Sequence, residues 1–281
     1  MRGRAAFLSR TWRPALAGPV LVALMASPTA VRAAEHPALA KARALYNAAD
    51  YDAAITSAAA ARLDPASADA AALVAARAYL ERYRLRTSDP ADLAAAREAL
   101  GAVRAAALTP RDQIDLLVGL GQALFLGDEF GAAAELFDTA LSRASVLPER
   151  DRWLLLDWWA SALDREAQRL PVDRRASLLG RVGERMEAEL REDPGSATAN
   201  YWLAVAARGT GDVERAWHAA VAAWVRAPLR PESAATLRDD IDRFVTTVLI
   251  LERARSRPVK EQQVALTELR ARWDAVKESW K

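Results

Sequence analysis

Leu117-Val-Gly-Leu-Gly-Gln-Ala-Leu-Phe-Leu-Gly-Asp-Glu-Phe-Gly-Ala-Ala-Ala-Glu-Leu-Phe-Asp-Thr-Ala-Leu141 is the most regular run in the chain. Large residues alternate with very small ones on both sides of Gly127-Asp128-Glu129. That alternation has a packing logic. Small residues let two helix backbones approach closely, and an aromatic ring fills the space left between neighbouring helix pairs. The spacing therefore predicts a helix, a tight turn and a second helix.

The composition points the same way. Of 281 residues, 52% are apolar, and many of these are alanine, the residue that loses least entropy in a helix. The 13 prolines fall between apolar-periodic stretches, and with only 12 glycines beside them the chain has too few turn signals for an all-β reading. Cysteine is absent, which excludes disulfides, thiolate metal sites, cysteine nucleophiles and a lipid-modified cysteine anchor.

On these residues the run resembles a tetratricopeptide repeat. Leu120, Gly121 and Leu124 stand at that family's first-helix packing positions, Phe130 follows the turn, and Ala133, Phe137 and Ala140 stand on the second helix. A second match covers residues 200–228. Leu203, Ala204 and Ala207 precede Gly211-Asp212-Val213, then come Ala216, Ala220, Ala223 and Trp224, and Pro228 closes it. A third, weaker match holds Leu45, Asp50-Tyr51, Ala54, Ala58, Ala61 and Pro65. Between them lie less regular helix pairs, 68–86 with 90–107 and 149–170 with 173–193. The tail predicts two long helices, 232–255 and 259–280. The resemblance implies an all-α, right-handed solenoid of about six antiparallel hairpins over residues 34–281, with 230–281 as a capping helix pair. About 41 residues per hairpin exceeds the family's 34.

Two tail seams have heptad-like steps: Leu237, Ile241, Phe244, Val248, Leu251, and Leu266, Leu269, Trp273, Val276, Trp280. They serve either as an intramolecular cap or as a homodimer contact. On the helix at 149–170, Trp153, Leu156, Ala160 and Leu163 make one stripe and Trp158 faces away from it. Such a helix is either sandwiched between layers or offers an aromatic to a ligand.

The start of the chain reads as a targeting segment. Arg2, Arg4, Arg10 and Arg13 precede a 12-residue apolar stretch, Ala15 to Ala26, and a small-residue exit near Ala33. These are the three parts of a secretory signal peptide, assigned to residues 1–33, and the apolar stretch is short against the ~20 residues of a spanning helix. The expected location is periplasmic or secreted, and the alternative is an uncleaved inner-membrane anchor. The segment also accounts for the charge. It holds five arginines and no acid, so the whole-chain 39 basic and 37 acidic residues become 34 and 37 in residues 34–281, a net of −3. No nucleic-acid partner is expected on charge grounds.

Chemical motifs are sparse. His36 and His218 are the only histidines and do not make a metal-ligand group. No phosphate loop, dinucleotide fingerprint or nucleophile elbow occurs. Asp239, Asp240 and Asp242 spread around a helix and read as a solvated face. No catalytic, cofactor or metal residue is assigned, and an enzyme is not expected. The resemblance instead implies a non-catalytic scaffold of the bacterial cell envelope that holds proteins or peptides in a concave groove lined by first helices. Projecting the repeat frame puts Arg43 and Tyr46, Gln122 and Phe125, and Tyr201, Val205 and Arg208 into that groove. The lysine and asparagine set of the family's carboxylate-clamp members has no match here. The alternative function is a periplasmic small-molecule or glycan-binding accessory protein, with Trp158 and Tyr201 as stacking platforms.

Overall fold

A computed structural model describes residues 35–143, 145, 147–229 and 231–281; the side chains of 231–233 fall outside that description. The expected signal segment, residues 1–33, therefore lies outside the described residues. The described chain is helical throughout. Its α-helices are α1 (Pro37–Asn47), α2 (Tyr51–Ala61), α3 (Ala68–Arg82), α4 (Pro90–Gly101), α5 (Pro110–Phe125), α6 (Phe130–Leu141), α7 (Glu149–Arg169), α8 (Val172–Glu192), α9 (Ala197–Gly209), α10 (Val213–Arg226), α11 (Pro231–Phe244), α12 (Ile250–Arg255) and α13 (Gln262–Ser279).

Local chemistry sets the helix starts. Pro37, Pro90 and Pro110 occupy first-turn positions, where no N–H is needed. Side chains cap five helices: Asp50 accepts the Ala53 amide at 3.2 Å, Asp89 that of Ala91 at 2.9 Å and Thr109 that of Asp112 at 3.1 Å. Ser196 accepts the amide of Ala199 at 3.1 Å and Asp212 that of Arg215 at 2.9 Å.

Consecutive helices pack against one another from α1 to α11, as do α12 and α13, and α1, α3, α5, α7 and α9 each also touch the next of that set. The contacts rest on size pairing. Ala54, Ala58, Ala96, Ala133, Ala140, Ala204, Ala216 and Ala220 are buried where helix backbones approach, and Phe137, Trp202 and Trp217 fill the spaces between them. Helix α7 is apolar on both sides because it is sandwiched: Trp153, Leu156, Ala160 and Leu163 are buried, and so is Trp158.

The three hairpins that resemble the repeat share one turn. Ala49, Asp128 and Gly211 have φ of 59°, 66° and 92°, and the residue after each bonds back to the carbonyl five residues earlier at 2.9–3.0 Å. Only the last of the three carries glycine, which adopts this conformation without a Cβ penalty. Ala49→Gly is therefore expected to raise stability by about 0.5–1 kcal/mol, read as a rise in the urea midpoint. A fall in the midpoint would contradict the strain at this turn.

The tail corrects one expectation. Ile241, Val245, Leu249, Ile250 and Ala254 are the buried positions, whereas Val248 and Leu251 are only half-buried. A π-helical turn, Val245–Leu249, causes this by adding one residue to the spiral and rotating everything beyond it relative to a regular helix. In α13 the seam is held by Trp273, while Trp280, expected in the same stripe, is 52% exposed.

Candidate functional site

The first helices of the hairpins present a row of charge and aromatic side chains. Arg43 on α1 reaches Asp112 on α5, with Nη2 3.0 and 3.1 Å from the two carboxylate oxygens, and its Nη1 meets Glu35 at 3.1 Å. The Thr109 hydroxyl donates to Asp112 at 2.9 Å. One register along, Arg77 on α3 pairs with Asp115 on α5 at 3.0 Å and lies 4.7 Å from the Tyr46 ring centroid. Burial pushes the Tyr46 phenol up to about 12, with the Arg77 cation opposing the rise. Arg111 continues the row, with Nε 3.5 Å from Asp115 and Nη2 2.6 Å from Asp151 on α7. At the far end Arg208 forks onto Glu252 of α12 at 2.6–3.1 Å, and that carboxylate holds the guanidinium charged beyond its usual range.

These contacts place the residues expected in the groove. Arg43 and Arg208 keep part of their surface, and Gln122 is half-buried. Tyr46 is covered by Arg77. Phe125 makes edge contacts of 5.0 Å with both Phe130 and Trp158. Trp158 and Tyr201 are each only 7% exposed, and Val205 is buried beside them in the same core. The Trp158 ring lies under Phe125 and Phe137, and the Tyr201 ring meets Trp202 at 5.3 Å and Phe244 at 6.1 Å. A stacking platform needs an open ring face, and neither residue offers one. These side chains lie on first helices, where Arg43, Tyr46, Phe125, Tyr201 and Arg208 contact neighbouring helices. The acids that hold the arginines, Asp112, Asp115, Asp151 and Glu252, escaped sequence reading. Their partners lie 38–69 residues away in the chain and become neighbours only in the folded register.

Among the described residues no group of His, Cys, Asp or Glu could hold a metal ion, and no helix is long and apolar enough to cross a membrane. His36 precedes α1 without a capping side-chain bond, and His218 lies exposed on α10. No family model matches the chain, and no curated protein or solved structure does either.

Two buried carboxylates hold the α3–α4 hairpin together away from this row. Asp69 accepts the Arg104 backbone amide at 2.8 Å and its guanidinium at 2.7 and 3.1 Å. Asp92 accepts Arg82 Nε at 3.0 Å and Nη2, and the Thr87 hydroxyl at 2.8 Å, while Arg82 also reaches Asp52 on α2 at 2.6 Å. Bonds from Arg104 hold the Asp69 carboxyl below its ordinary range, and bonds from Arg82 and Thr87 do the same for Asp92. A carboxyl lowered in the folded state stabilises fully above the unfolded pKa near ~4 and loses that contribution as pH falls through its folded value. Stability is thus expected to drop below about pH 4. Asp92→Asn should cost about 2 kcal/mol at pH 7 and flatten the acid limb, as read from urea midpoints at pH 7 and pH 3. An unchanged acid limb would remove Asp92 from this role.

Proposed function

We infer that the protein is a non-catalytic scaffold of the bacterial cell envelope that holds other proteins or peptides. In this reading residues 1–33 direct export, and the helix pairs form a right-handed solenoid of tetratricopeptide type. The observation that carries it is the side-by-side run of first helices, α1, α3, α5, α7 and α9, each in contact with the next. Such a run supplies one long face. Arg43, Arg77, Arg111 and Arg208, each pinned by a carboxylate and partly exposed, stand along it with Gln122, and their N–H groups not taken by those carboxylates are its donors. An extended polypeptide suits a surface of this kind, because donors at repeat spacing meet successive main-chain carbonyls and acidic side chains.

The test uses the exported chain as bait in an envelope extract. Gln122→Ala and Arg208→Ala alter the first-helix face without touching the core, and Glu135→Ala, on the exposed side of α6, serves as a control. Loss of captured proteins with the first two and retention with the third is the expected result. If all three variants retain every captured protein, the face is not the binding surface.

A further inference from the structure

We propose that the chain is built from three copies of a two-hairpin unit, and that Arg86, Arg169 and Arg253 are staples fixing the two hairpins of each unit against each other. The three glycine-type turns mark the first hairpin of each unit. The residues at the left-handed position, 49, 128 and 211, are 79 and 83 residues apart. Their bonding is the same: Asp50 to Leu45 at 3.0 Å, Glu129 to Leu124 at 3.0 Å, and Asp212 to Ala207 at 2.9 Å. The second hairpin of each unit turns by other chemistry: Ser88 is also left-handed, at φ 47°, but the amide after it, Asp89, is bonded to the Thr87 hydroxyl rather than to a carbonyl five residues back, and the other two turn through Pro171 and Pro258.

One arginine follows each of the three turns, near the end of the next hairpin's first helix. Arg86 donates to the Ala49 carbonyl at 3.1 Å, 37 residues back, and its guanidinium lies 5.5 Å from the Tyr51 ring centroid. Arg169 donates to the Asp128 carbonyl at 2.5 Å, 41 residues back, and lies 4.4 Å from the Phe130 ring centroid. In both places the guanidinium lies over the ring of the aromatic residue that opens the second helix, while one of its N–H groups takes a carbonyl of the turn. In the third unit Val213 replaces that ring. Arg253 there lies 4.9 Å from the centroid of Trp217, one helical turn further on, and bonds Glu214 at 2.6 Å. The three arginines are 83 and 84 residues apart, close to the 79 and 83 that separate the turns.

A guanidinium suits this task because its plane donates while its face stacks, so a single side chain fixes both position and tilt. The carbonyls it takes belong to helix ends, where no intrahelical donor reaches them. Each staple therefore ties the turn of the first hairpin to the first helix of the second, and its loss frees that turn.

Amide hydrogen exchange on the full chain tests the staple. In Arg169→Gln, exchange over residues 126–133 is expected to rise about tenfold, while residues 47–54 and 211–216 keep their rates. Arg86→Gln should move the rise to residues 47–54. Arg169→Lys keeps the charge but not the planar fork, so it should behave as Arg169→Gln does. Three results would overturn the proposal: unchanged exchange at 126–133, an equal rise along the whole chain, or full protection restored by lysine.

Discussion

Phe137→Ala will lower stability by about 3–5 kcal/mol, the range for removing a fully buried aromatic side chain. Phe137 on α6 has no exposed surface. Its ring lies against Gly121 of α5 and is tilted onto Trp158 of α7, at 5.9 Å between centroids. Three helices converge on this one side chain, so the space it leaves cannot be closed by moving any single helix. A urea titration should show a lower midpoint with an unchanged slope. The same contact predicts a coupling. A Cβ on Gly121 would stand 2.5 Å from Phe137 Cε1 and 2.8 Å from Cδ1, so Gly121→Ala alone forces the ring or the helix to move. Overpacking of this kind costs about 1–3 kcal/mol, partly offset by the ~1 kcal/mol helix preference of alanine over glycine. In the Phe137→Ala background the added methyl enters the vacated space, and Gly121→Ala should become neutral or stabilising. Additive effects of the two substitutions would show that Gly121 and Phe137 are not a size-matched pair.

That pair was legible in the sequence, and it shows what kind of feature is. Size alternation, proline at helix starts and acids at caps are local, and they gave helix positions to within a few residues for nearly every helix. The turn residues Ala49 and Asp128 were harder to read, because neither is glycine and only the recurrence of aromatic or valine followed by alanine marked the place. Two kinds of feature were hidden. The π-helical turns at Tyr83–Thr87 and Val245–Leu249 leave no compositional trace, yet the second one moved the tail's buried stripe from Val248 and Leu251 to Leu249, Ile250 and Ala254. The partners of the first-helix arginines were also invisible. Which aspartate Arg43, Arg77 or Arg111 meets depends on how far each hairpin is rotated against the next. The repeat frame names the face on which Tyr46, Phe125 and Tyr201 lie. It does not say whether neighbouring first helices stand far enough apart to leave those rings open. Here Arg77 covers Tyr46, Trp158 meets Phe125, and Trp202 and Phe244 meet Tyr201.

Trp273→Ala will be as costly as Phe137→Ala, about 3–5 kcal/mol, and it shows what the tail does. Trp273 is the one residue of α13 that is fully buried, so α13 hangs on it more than on any other contact. Its ring meets Trp224 edge-on at 5.4 Å and Trp217 at 6.1 Å, both on α10, and its indole N–H donates to Asp242 at 2.7 Å. Lys277 takes the same carboxylate oxygen at 2.9 Å, so the loss of Trp273 also loosens an ion pair. Trp280→Ala, at the half-exposed end of the same helix, should change stability by no more than about 0.5 kcal/mol. The contrast separates the two roles open to the tail. A helix that caps its own chain makes the Trp273→Ala loss independent of protein concentration. If it were instead held mainly by a second copy, the unfolding midpoint would rise with concentration in the parent chain, and the loss would shrink on dilution. Arg253 and Arg272 lie 4.9 and 5.5 Å from the Trp217 ring centroid, from α12 and α13 respectively, so both tail helices close onto α10 from within one chain. Concentration independence is therefore the expected outcome.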